Sequence, residues 1–218
     1  MIRPLQSPVE REQTRQRILD AARVLFDSDG LDAVSLRAIA TRVGMTAPAL
    51  YRYFPSKGEL VRALWRGALL ELRIRLEAIS AAEPQPLAAL RAIGAAYVAF
   101  GVEDPLRFRI LFLWSVESVA PDIPADPEIQ SVYGVLRRRV AEAVAQGLIR
   151  CPDAANTDID AVVQMFWAAA HGIIILGTKV VFPCDSMLPM APPIDLANAT
   201  IATLLRGLAP RTHLGDSP

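Results

Sequence analysis

No stretch of this sequence keeps a strand-like alternation of apolar and polar residues. Every long segment instead repeats its apolar residues at helical spacing, between glycine and proline breaks. A chain patterned that way buries its apolar faces by packing helix on helix, so the expected class is all-α, with about nine helices. No repeat of roughly 20–50 residues is visible. Apolar residues make up 52% of the 218 and charged residues 21%, enough to build a core, which excludes disorder over most of the chain. The two cysteines, Cys151 and Cys184, are too few for a disulfide framework or a cysteine-built zinc site.

The opening residues, with Arg3, Pro4 and Pro8, hold no signal-type apolar stretch. Met165 to Thr178 is nearly all apolar, but His171 interrupts it, Gln164 and Lys179 bracket it, and it falls short of the ~18 residues a spanning helix needs. It reads as a buried core helix. The expectation is a cytoplasmic protein with no membrane partner.

The breaks divide the chain clearly. Ser7-Pro8-Val9-Glu10 reads as a capping box with proline in the first turn. The helix it opens carries Ile18, Ala21, Ala22, Leu25 and Phe26 on one face and ends at Gly30. A short helix follows from Ser35 to about Arg42, then Gly44, then a shorter helix that Thr46 would cap, with Pro48 in its first turn and Pro55 after it. Ser56-Lys57-Gly58-Glu59 is a second capping-box pattern, opening a long helix that ends near Ser80. Later helices are expected over about 87–100, 104–118, 127–147, 157–181 and 194–207, with a frayed tail from Pro210.

Residues 35–53 carry the most information. Two short helices around a tight glycine turn make a helix-turn-helix. Ile39, Val43 and Leu50 would pack the pair together, leaving Thr46, Ala47, Ala49, Arg52 and Tyr53 facing outward. The second helix would enter the major groove of DNA, its N-terminal residues toward the base edges. Charge agrees in sign. Residues 1–66 hold 11 Arg and Lys against 7 Asp and Glu, although the whole chain is neutral. Such an excess suits a polyanion, and it equally suits an ordinary solvated surface.

Thr14-Arg15-Gln16-Arg17-Ile18-Leu19-Asp20-Ala21-Ala22, Leu25-Phe26, Gly30, Leu36-Arg37-Ala38-Ile39-Ala40, Val43-Gly44-Met45, Leu50-Tyr51-Arg52-Tyr53-Phe54 and Ser56-Lys57-Gly58-Glu59-Leu60 stand in one register. That string resembles the N-terminal part of the TetR-type regulators. The resemblance implies an all-α homodimer whose first domain (1–55) binds a double-stranded, palindromic DNA operator. The remainder (56–218) would dimerise and bind a small-molecule effector. It implies a repressor, and no enzyme. By the resemblance, Tyr51 touches phosphate and base, Lys57 and Tyr53 touch phosphate, and Thr46, Ala47, Pro48 and Ala49 read bases. Ser35 and Arg37 lie beside the backbone. Ala47 and Ala49 depart from a hydrogen-bonding reading helix and can touch only thymine methyls, which throws specificity toward Arg37, Thr46, Arg52 and DNA shape. For Arg37 and Arg52 a solvated or phosphate-only role stands equally open. Arg3, Arg11, Arg15 and Arg17 are candidates for further backbone contacts.

Phe166-Trp167-Ala168-Ala169-Ala170-His171-Gly172 resembles the Trp-x-x-x-His-Gly motif of one C-terminal class of these regulators, the WHG domain, as do Tyr97 and Pro105 to Phe112. Trp167 and His171 are four apart, on one helix face. Effector contacts are expected at Tyr97, Arg109, Trp114, Glu117, Trp167 and His171. Each has the plainer reading of a core or surface residue, and His171 that of a core histidine with a hydrogen-bond partner. A surround rich in Trp, Phe and Leu suits an apolar or aromatic effector. No cofactor and no metal are expected, since the only other histidine is His213. The dimer stripe is expected from Ile173, Ile174, Ile175, Gly177, Val180 and Val181 with Ile194, Leu196, Ile201, Leu204 and Leu205. Two other readings stand beside this one. One is a regulator without an effector. The other is a helical enzyme around His171 with Glu117 or a cysteine, which no nucleophile–base spacing supports.

Overall fold

The computed structural model describes residues 7–112, 127–151, 158–178 and 191–210. Among them are nine helices and no strand. They are α1 (Pro8–Asp29), α2 (Leu36–Arg42), α3 (Ala47–Tyr51), α4 (Lys57–Ala82), α5 (Pro86–Glu103), α6 (Pro105–Phe112), α7 (Pro127–Ala145), α8 (Ile159–Gly177) and α9 (Pro193–Leu208). The expected all-α class is what the chain adopts.

Helix starts follow their local chemistry. The Ser7 hydroxyl accepts from the Glu10 N–H at 3.2 Å, and the Ser7 N–H donates to the Glu10 carboxylate at 2.8 Å, so the first capping box is complete. The second is half formed. Ser56 Oγ accepts from the Glu59 N–H at 3.1 Å, but the Glu59 carboxylate turns to Arg62 at 2.6 Å. An ion pair one turn along the helix competes for the carboxylate, which the pattern alone does not reveal. The long helix α4 runs to Ala82, beyond the expected Ser80. Helix α8 starts later than expected, with the Asp158 side chain accepting from the Ala161 N–H at 3.1 Å.

Tertiary contacts sort the chain into two compact units, residues 1–68 with 109–126 and residues 69–108 with 127–218. In the first, Ile18, Ala22 and Phe26 of α1 are buried, with Ile39 and Ala40 of α2, Leu50 of α3, and Leu60, Val61 and Leu64 of α4. In the second, α5 is the central helix and packs on α7, α8 and α9. It meets α8 closely at Gly101, where an added Cβ would stand 2.7 Å from the Ile174 side chain.

Helices α5 and α8 are each long and apolar enough to cross a membrane by length and composition, α8 because it begins before the apolar run read from the sequence. Both pack on α9 and on each other, and the core helix of a globular protein passes the same test. The dimer stripe is corrected too. Ile173, Ile174, Ile201 and Leu205 are buried within this chain. Gly177 lies against Pro193, and Val180 and Val181 fall outside the described residues.

Candidate nucleic-acid interface

The turn between α2 and α3 is made by Gly44 at φ +70°, a left-handed conformation that other L residues adopt at a cost. Its N–H donates to the Thr41 carbonyl at 3.1 Å, and the Met45 N–H to the Ala40 carbonyl at 2.9 Å, closing the end of α2. Leu36, Ile39 and Leu50 are buried between the two helices and the rest of the unit. Val43, expected with them, is half-buried, and its carbonyl accepts from Arg17 at 3.4 Å.

What remains outside is the set read from the sequence. Ser35, Arg37, Thr46, Pro48, Tyr51 and Arg52 are exposed, and Ala47, Ala49, Tyr53 and Lys57 are partly so. Tyr51 shows 44% of its surface, unusual for a large aromatic that could have joined the core. Ser35 has an internal task, because its hydroxyl caps α2 by accepting from the Ala38 N–H at 3.2 Å. Thr46 stands at the cap position of α3 but makes no side-chain cap hydrogen bond, contrary to expectation.

The cations differ in how they are held. The Lys57 ammonium donates to the Asp32 carbonyl at 3.4 Å. Arg15 pairs with Glu12 at 3.4 Å and lies over the Phe54 ring at 5.2 Å, and Arg17 is tied to Val43. These tethers fix positive charge beside the helix-turn-helix, an arrangement that can meet phosphates. Arg37 and Arg52 are exposed, and their guanidinium groups make no hydrogen bond or ion pair among the described residues, although the Arg37 carbonyl accepts from the Thr41 hydroxyl at 3.1 Å.

A second cluster lies in the other unit. Trp167 Nε1 donates to the Tyr97 hydroxyl at 3.0 Å, and that hydroxyl lies 2.9 Å from His171 Nδ1. The Tyr97 hydroxyl donates to Nδ1 or accepts from it according to the tautomer of the imidazole. Burial holds that imidazole below its ordinary pKa and the Tyr97 phenol far above its own. The Phe108 ring centroid lies 4.8 Å from that of His171, the two rings tilted by 48°. Three of the six expected effector contacts are therefore together. Arg109 pairs with Asp27 at 2.6 Å. Trp114 and Glu117 lie outside the described residues.

Two neighbours escaped sequence reasoning. Phe108 was visible only as one of several aromatics in its segment. Arg107 is buried, paired with Glu71, donating to the Phe100 carbonyl at 3.1 Å, and stacked 3.8 Å over the Phe100 ring. No sequence signal distinguishes such an arginine from a solvated one. Among the described residues no group of three or more His, Cys, Asp or Glu could hold a metal ion.

Residues 18–64 match the family model of bacterial regulatory proteins, tetR family, and residues 90–204 match the Tetracyclin repressor-like C-terminal domain. The second description is broader than the WHG class. The HTH-type transcriptional repressor KstR of Mycobacterium tuberculosis is 48% identical over 63 residues, 28% of this chain and 28% of that protein. The chain thus matches under a third of the length of that curated relative. A solved tetR-family regulatory protein from Rhodococcus RHA1 superposes with a TM-score of 0.73 at 20% identity, covering 92% of this chain and 99% of that one. The regulator FadR of Bacillus subtilis, solved in complex with stearoyl-CoA, gives a TM-score of 0.69 at 15% identity over 88% and 98% of the two chains. At those identities the likeness to both structures is one of fold.

Proposed function

Because the chain belongs to the TetR family of bacterial regulatory proteins, we propose that it is a cytoplasmic transcriptional repressor that binds a palindromic DNA operator as a homodimer. A small apolar or aromatic effector releases it. Residues 1–55 are the DNA-binding part and 56–218 the effector-binding and dimerising part. The observation that carries the reading is the helix-turn-helix itself. Its internal face is closed by Ile39 and Leu50, while Thr46, Tyr51 and Arg52 are left to solvent beside tethered cations.

Dimerisation is supported by the outer face of α8, where Met165, Ala168 and Leu176 are exposed. On the adjoining α9, Leu196, Thr200 and Leu204 are partly exposed. Two helices from each copy would then close a four-helix bundle, and two reading heads would meet half-sites one helical turn apart, ~34–36 Å. The effector is supported by the Tyr97–Trp167–His171 cluster, which offers aromatic surface with few polar atoms. The FadR neighbour, whose structure holds stearoyl-CoA, supports a ligand with a long apolar part.

The test is binding of the purified protein to duplex DNA from upstream of its own coding sequence. Specific binding is expected, with Tyr51→Ala weakening it at least about tenfold through one lost contact of ~1.4 kcal/mol or more, at unchanged helicity. Equal binding by wild type and variant, or equal binding to unrelated duplexes, would overturn it.

A further inference from the structure

The first three residues of α3 are Ala47, Pro48 and Ala49. None has a side-chain donor or acceptor. Pro48 is exposed and the alanines are partly exposed. A reading helix with this surface cannot choose between bases by side-chain hydrogen bonds at those positions. The major groove offers an apolar side chain one base-specific feature, the C5-methyl group of thymine.

Two further observations bear on how the rest of the reading is done. The Thr46 hydroxyl makes no cap hydrogen bond, so it is available at the head of the same helix. The cations form two groups. Arg15, Arg17 and Lys57 are tied to neighbours and have set positions suited to phosphates, whereas Arg37 and Arg52 are exposed and uncommitted among the described residues. The tethered set can hold the register of α3 on the backbone while its apolar edge rests on the bases.

Resting on the DNA-binding reading above, we infer that the start of α3 reads its half-site through thymine C5-methyls seated against Ala47, Pro48 and Ala49, with Thr46 supplying a polar contact. The magnitudes allow it. One buried methyl is worth roughly fourfold in affinity. Three compound to roughly sixtyfold, within the range of one bidentate arginine–guanine pair. The selected half-site is therefore expected to hold a short run of thymines opposite α3.

The experiment uses the full chain. A random-sequence duplex library is selected for binding, and each thymine of the enriched site is then replaced in turn by deoxyuridine, which removes only the methyl. Dissociation constants are measured by fluorescence anisotropy. The expected result is a loss of about fourfold at each contacted thymine and a compounding loss with full replacement. In Ala47→Gly and Ala49→Gly the deoxyuridine penalty should vanish at the thymine each residue touches. A penalty of unchanged size in both glycine variants would be an effect of DNA stiffness and overturns the inference. Tight, sequence-specific binding that full deoxyuridine replacement leaves unaltered also overturns it, while leaving the regulator reading intact. A library with no enriched sequence overturns both. The deoxyuridine arm needs no protein variant, so it stands even if the glycine substitutions unfold α3.

Discussion

The Tyr97 hydroxyl serves two partners, 70 residues away at Trp167 and 74 away at His171. Spacing alone places Trp167 and His171 on one helix face, because residues four apart are neighbours there. That Tyr97 joins them depends on α5 packing against α8, and nothing local encodes it. The cluster has a pH signature. Burial holds His171 below its ordinary value of 6.5, so on acidification the unfolded chain takes up its proton first. Stability is therefore expected to fall as pH drops below about 6.5, down to the folded-state pKa, and to be level above it as far as this group is concerned. Urea denaturation between about pH 7.5 and 5 should show that slope, and His171→Gln should flatten it. An unchanged slope in the variant would place the titrating group elsewhere.

Helices were legible where their signals are local. Ser7 with Glu10, and Gly44 in the turn, announce themselves because the capping and turn geometries involve residues within a few positions of each other. Ser56 with Glu59 shows the limit, since Arg62 takes the carboxylate. Which face of a very apolar helix is internal is harder still. In α8, Ile173 and Ile174 are core and Leu176 is not, although all are equally apolar. The α5–α8 contact predicts a clear mutational result. Gly101→Val would drive side-chain atoms into Ile174, and overpacking of this kind costs ~1–3 kcal/mol. Chemical denaturation should report that loss. Gly101→Val with Ile174→Ala should recover part of it, because the smaller partner opens the space.

At the scale of the whole molecule, the proposed dimer concerns faces that one chain leaves uncovered. Met165 and Leu176 are 37% and 47% exposed on α8, a poor placement for large apolar residues in a monomer. Met165→Glu with Leu176→Glu is expected to yield a folded monomer by sedimentation at micromolar concentration. Its operator affinity should fall by roughly a hundredfold or more, because linking two heads multiplies affinity by ~10²–10⁴. A variant that stays dimeric would move the interface to another face. At this scale the expected fold class needed no tertiary information, since a helical period throughout leaves only helix-on-helix packing.

The amino-acid sequence by itself determined the helical class, most of the helix starts, the helix-turn-helix and the outward set from Thr46 to Lys57. These rest on interactions between residues a few positions apart, which the order of residues specifies directly. Only the tertiary structure decided three other matters. It brought Tyr97, Phe108, Trp167 and His171 together, and it paired Arg109 with Asp27. It buried Ile173, Ile174, Ile201 and Leu205 inside the chain, leaving Met165 and Leu176 outside. The physical reason is common to all three. Hydrophobic burial is non-directional, so an apolar residue carries no mark of which partner will cover it until the helices have packed.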